Sequence, residues 1–188
     1  MGAPVWVVAG PPGAGKTTVA RLLAERLDPP AAVLDKDTLY GSFVAATLAA
    51  AGRPDGEREG PWYDAHIKTH EYGGLSATAR EIRASGCPAI VVAPYTSQIH
   101  DADLWAALVA DLGGDPVRLV WLDCDPAALR ARMVARASHR DGAKLADYPA
   151  WLAAIRLGEP PTVAHDTVDN RGTVADLRAR VEWILAGS

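Results

Sequence analysis

The residues best equipped for chemistry lie near the start of the chain. Gly10, Pro11, Pro12, Gly13, Ala14, Gly15, Lys16 and Thr17 fit the pattern G-x-x-x-x-G-K-[ST], the phosphate-binding loop. Glycines let a backbone curl around an anion without Cβ clashes. The N–H groups of such a loop, and of the helix it opens, then point inward at phosphate. Lys16 is placed to reach the β- and γ-phosphates, the Thr17 hydroxyl to ligate Mg²⁺, and Thr18 lies at the head of the following helix. The loop predicts ATP and Mg²⁺ as cofactors and leaves open what becomes of the triphosphate. No guanine-specifying N-K-x-D motif occurs, which argues against a GTPase.

Phosphoryl transfer needs two further things. A carboxylate must orient the acceptor hydroxyl and take its proton, and Mg²⁺ must be held. Asp35 and Asp37 stand one residue apart at the end of an apolar run and can share these tasks, one of them also capping a helix expected to start at Thr38. Residue type and spacing leave open which of the two is the base. The run 89–93 ends in Pro94 with no acid after it, so the metal falls to Thr17, the nucleotide and Asp35 or water. Positive charge for the transferring phosphoryl comes from Arg130, Arg132 and Arg136 on one helical pattern, with Arg140 beyond it. Arg132 and Arg136 share a face at i, i+4 spacing.

The acceptor side is drawn less sharply. Polar and aromatic residues alternate over 62–72, and the segment is expected to line the acceptor pocket through His66 and His70, with Tyr95 and Thr96 opposite and Tyr40, Asp35 and Asp37 completing the set. His66 and His70 lack the intervening glutamate of H-E-x-x-H, so zinc is not expected.

These groups must be positioned by the elements between them. Strand patterns fall at 5–9, 32–34, 89–93, 117–123 and, weakly, 167–169; helical patterns fall at 15–27, 38–51, 62–85, 102–112, 126–137, 149–157 and 173–186. Asp125-Pro126 reads as an N-cap followed by proline at the first helical position. Alternating strands and helices predict an α/β three-layer sandwich of the P-loop type: a five-stranded parallel sheet, helices on both faces and a small lid. Ligands of such sheets bind beyond the carboxyl ends of the strands, where the candidate residues fall. The expected organisation is a single domain over 1–188, with a lid at 138–147 and an acceptor-binding segment at 52–72.

Composition bounds the partners. The 188 residues are 49% hydrophobic, enough for a full core, and the net charge of -4 argues against a general nucleic-acid or membrane-surface binder. Cys87 and Cys124 lack metal-ligand spacing and read as reduced thiols. There is no basic leader before the phosphate loop and no apolar run long enough to span a bilayer. A soluble cytoplasmic protein, monomer or homodimer, is expected.

The loop, the Asp35-Lys36-Asp37-Thr38 segment and the arginine-bearing helix resemble small P-loop kinases of the AAA_33-like group. Among these are the kinase domain of phage-type polynucleotide kinase, chloramphenicol phosphotransferase and gluconate kinase. In two of them, polynucleotide kinase and chloramphenicol phosphotransferase, the acceptor-activating aspartate follows the second strand, which implies that role for Asp37. Phage-type polynucleotide kinase has a second acid and an arginine just after it, where this chain has Thr38 and Tyr40. The resemblance therefore implies a kinase acting on the hydroxyl of a small metabolite or antibiotic. A nucleic-acid 5′-hydroxyl kinase and a nucleotide-dependent regulatory or toxin-like module remain as alternatives.

Overall fold

The computed structural model describes residues 2–137 and 141–187. Its centre is β1 (Val5–Ala9), whose five residues are all buried. That burial follows from its place in the sheet. With β2 (Ala32–Asp35), β3 (Ala89–Val92), β4 (Val117–Asp123) and β5 (Asp166–Asp169), the order is β2-β3-β1-β4-β5, and every pairing is parallel. A central strand covered on both faces needs a continuous apolar run, and Val-Trp-Val-Val-Ala supplies one.

Side chains of β1 alternate between two cores. Trp6 and Val8 face a cluster formed with α1 (Lys16–Arg26), α6 (Pro126–Arg136), α8 (Tyr148–Ala154) and α9 (Val174–Ala186). Val5, Val7 and Ala9 face the opposite cluster, with Leu75 and Ala79 of α4 (Thr69–Ala84) and Leu108 of α5 (Ala102–Asp111). A third, smaller cluster joins Val44 and Leu48 of α2 (Lys36–Ala50) to Tyr63 and Ile67. This last cluster holds no strand residue; it packs α2 against the segment 61–68.

Three local differences from the sequence expectations matter for the site. First, α2 starts at Lys36, two residues earlier than expected, because the Asp35 side chain accepts from the Asp37 and Thr38 amides and closes the first turn itself. Second, the helix expected over 62–85 is not uniform. A short α3 (Pro61–Tyr63) passes through a π turn (Asp64–Lys68) into α4. The Thr69 hydroxyl donates to the Asp64 carbonyl inside this turn. Third, part of the segment expected to be irregular is helical: α7 (Gly142–Ala146) leads into α8. Tyr148 and Trp151 of α8 are buried in the core, and the Tyr148 hydroxyl donates to the Pro126 carbonyl at 2.6 Å. Asp125 caps α6 as expected, accepting from the Ala127 and Ala128 amides.

Candidate active site

The phosphate loop joins the end of β1 to α1. Gly13 and Gly15 adopt positive φ, +84° and +94°, which side chains disfavour. At Gly15 the space a Cβ would need is filled by the Asn170 side chain. That amide donates to the Ala14 carbonyl at 2.6 Å, so the segment after β5 clamps the loop from behind. The Lys16 ammonium donates to the Gly10 and Pro11 carbonyls at 2.9 and 3.0 Å. Burial pushes its pKa down to about 8, against the pull of the Asp37 and Asp35 carboxylates. Thr18 is exposed at the first turn of α1.

Thr17 and Asp35 meet across two strands. The Thr17 hydroxyl donates to Asp35 Oδ2 at 2.7 Å, while Asp35 Oδ1 caps α2. Sheet order explains the contact: β3 lies between β1 and β2, and Asp35 pairs with Val92 at the carboxyl edge. Hydroxyl plus one carboxylate is a donor set that suits Mg²⁺, which keeps several waters and takes further ligands from phosphate. Among the described residues there is no cluster of three or more His, Cys, Asp or Glu able to hold a metal by itself.

A cavity of about 580 Å³ opens at this edge and runs from the loop to the π turn. On the phosphate side it is lined by Lys16, Arg132, Arg136 and Lys144. Arg132 Nη2 donates to the Asn170 backbone and side-chain oxygens at 2.8 and 3.3 Å, and its Nη1 is buried without a hydrogen-bond partner among the described residues. Arg136 makes a two-pronged pair with Asp141, whose side chain is 1% exposed. That pairing ties α6 to the start of α7, and Arg136 also lines the cavity. Arg130 is exposed and leans over the Tyr148 ring instead. Arg140 lies outside the described residues.

On the other side stand Asp37, Arg58, Asp64, Lys68, Glu71 and Tyr72, with Thr96 across from them. Asp37 is half exposed in the first turn of α2. Four expected acceptor residues are not among the cavity-lining residues, and each has a physical reason. Tyr95 is fully buried; a φ of +52° turns it into the core, edge-on to Tyr72 at 5.3 Å. Tyr40 packs its ring end on Gly74, where no Cβ intervenes, and helps join α2 to α4. His66 is exposed, stacked on Trp62 at 4.7 Å and bonded through Nδ1 to the Trp62 carbonyl. His70 is exposed one turn further on. Asp64 and Lys68 line the cavity, and the histidines, each two residues further on and so on another side of the helix, do not.

Sequence reasoning passed over Asn170, Asp141, Lys144, Arg58 and Glu71 individually. Asn170 could have been found, because it directly follows β5 at the sheet edge where ligands bind. Glu71 carried no signal, since nothing local marks a glutamate that is 3% exposed.

Residues 5–161 match the family described as an AAA domain. The chain belongs to the AAA_33 family. A shikimate kinase of Saccharopolyspora erythraea is 49% identical over 53 residues, which is 27% of this chain and about 30% of that relative's length. Among solved structures, this AAA_33 member resembles a sugar kinase from Janibacter sp. HTCC2649 (20% identity, 98% of this chain and 94% of that one, TM-score 0.65). It also resembles a putative kinase from Chloroflexus aurantiacus (22%, 98% and 95%, TM-score 0.64). A third is the tunicamycin resistance protein of Deinococcus radiodurans (17%, 97% and 95%, TM-score 0.61). The fold is thus that of small P-loop kinases, as the loop and the alternation of elements imply. Among the described residues no helix is long and apolar enough to cross a membrane.

Proposed function

We propose that this protein is an ATP- and Mg²⁺-dependent kinase that moves the γ-phosphoryl group to a hydroxyl of a small polar molecule. One observation carries the reading. A single cavity holds a phosphate loop, a cluster of cations and, on the far wall, the exposed carboxylate of Asp37. Lys16 and the loop N–H groups would bind the triphosphate. Thr17 and Asp35 would hold Mg²⁺, which supplies charge neutralisation on the β- and γ-phosphates when bound. Arg132, with one buried guanidinium nitrogen lacking a partner among the described residues, is suited to the charge that develops on the transferring group. Asp37 would accept the proton of the attacking hydroxyl.

The acceptor wall favours a small polar compound. Asp37, Asp64 and Glu71 line it together with Lys36, Arg58 and Lys68, a set of matched charges that suits a compact polar acceptor. Thr38 and Tyr40 stand where phage-type polynucleotide kinase has an acid and an arginine, which counts against a nucleic-acid 5′ end. The panel to test includes shikimate, simple sugars, adenylyl sulfate, gluconate and the antibiotics tunicamycin and chloramphenicol. Each is incubated with ATP and Mg²⁺ and read by mass spectrometry. The expected result is a gain of one phosphoryl group on a panel member, dependent on Lys16. ATP hydrolysis at one rate, whatever hydroxyl compound is present, overturns the kinase reading and supports a nucleotide-dependent regulatory module.

A further inference from the structure

Beside Asp37 on the cavity wall lies a chain of side chains that phosphate chemistry does not require. Glu71, on α4, is 3% exposed. A buried carboxylate is costly unless both oxygens are engaged, and here both are. Oε1 accepts from Lys36 Nζ at 2.9 Å, and Oε2 accepts from the Tyr63 hydroxyl. Lys36 is itself 12% exposed, and its ammonium also lies 3.5 Å from Asp37 Oδ1. Lys36 therefore stands between two carboxylates. Both line the cavity; Glu71 is buried with both oxygens occupied, and Asp37 is half exposed.

We propose that Tyr63, Glu71 and Lys36 are positioning residues that aim the Asp37 carboxylate at the acceptor hydroxyl. The inference rests on the kinase reading given above. Glu71 is excluded as the base itself because its oxygens already accept two hydrogen bonds. A purely structural role for the chain is the competing explanation, since it spans α2 and α4. Yet α2 is already held there by Val44 and Leu48 against Tyr63 and Ile67, and by Tyr40 on Gly74. Buried ion pairs are weak fasteners compared with apolar contacts of that kind. A cation fixed by Glu71 does something apolar packing cannot: it limits the rotamers of an exposed carboxylate whose direction decides the rate. Tyr63 is fixed in turn, because burial and the neighbouring Glu71 keep its phenol protonated and donating.

The test is a set of double-mutant cycles. Lys36→Met, Glu71→Gln and Tyr63→Phe are each made alone and on Asp37→Asn. Turnover is read with ATP–Mg²⁺ and the panel compound that gains phosphate, and again with water as the acceptor. Lys36→Met and Glu71→Gln are expected to lower kcat about tenfold and Tyr63→Phe about threefold, with KM for ATP changed less than about twofold. On Asp37→Asn all three losses should vanish, because the group they aim is no longer a base. Glu71→Gln and Tyr63→Phe keep shape, so they carry the test if Lys36→Met does not fold. Losses that persist in full on Asp37→Asn, or kcat unchanged in all three single variants, overturn the inference while leaving the kinase reading intact. Wild-type turnover in Asp37→Asn alone removes the base on which both rest.

Discussion

The two ends of the cavity are built by different means. The phosphate end is one continuous stretch, residues 10–18, held by backbone geometry and closed by Asn170 at the loop's back. The acceptor end is assembled from side chains of α2, the π turn, α4 and the segment after β3. Backbone N–H groups bind any phosphate, so the first end is generic. Side chains brought from separate segments suit one shape, so the function proposed above puts specificity at the second end. On that reading specificity depends on inter-helix packing, which a local sequence pattern does not report.

The sharpest way to break this comparison is at Asp37. Asp37→Asn should lower kcat by about 10²–10⁴, the range for a general base, with ATP affinity nearly unchanged. Asn also caps helices well, so a folding loss does not confuse the result. Asp35→Asn should instead raise the Mg²⁺ concentration needed for half-maximal rate, because Asp35 holds Thr17. Steady-state kinetics with Mg²⁺ titration measures both; near-normal turnover in Asp37→Asn beside a severe loss in Asp35→Asn reverses the two roles.

Next comes the phosphate end. Lys16→Ala should lower kcat by about 10²–10³ with the far-ultraviolet circular dichroism unchanged. Its effect should be the same for every acceptor, as befits a generic end. An acceptor-dependent loss would show that the two ends are not separable.

The arginines sharpen the boundary between them. Arg132→Ala should lower kcat about tenfold or more while KM for ATP moves less, since its cost falls in the transition state. Arg136→Ala should also lower stability, by about 1–3 kcal/mol, because it strands the buried Asp141 carboxylate. Thermal unfolding separates the two: an unchanged melting temperature for Arg136→Ala would mean that Asp141 does not need its partner.

The smallest effect is expected at the histidines. His66→Ala and His70→Ala should leave kcat and both KM values within about twofold, as expected of exposed side chains outside the cavity lining. A large rise in acceptor KM would place the π turn differently in the working enzyme.

Particular residues show why some of this was legible and some was not. Gly13, Gly15, Lys16 and Thr17 work within a few residues of one another, so spacing alone identifies them. Asp125 with Pro126 announced a helix start for the same reason. Alternation of polar and aromatic residues over 62–72 does not say which side of the helix faces the cavity; Asp64 and Lys68 line it, and His66 and His70 lie off it. Tyr95 misled because a single left-handed residue sends a polar-looking side chain into the core. Asp35 and Asp37 were indistinguishable by type. They separate once Thr17, eighteen residues away, is seen to bond Asp35.

By itself the sequence determined the order of strands and helices, the parallel sheet and the phosphate loop. Each of these depends on periodicity or on contacts within a short stretch of chain. Only the tertiary structure decided which acid caps a helix beside Thr17, which arginine holds the buried Asp141, and that Lys36, Glu71 and Tyr63 stand beside Asp37. Those outcomes depend on pairs far apart in the chain and on the burial of charge, and a buried charge takes whatever partner the packing brings to it.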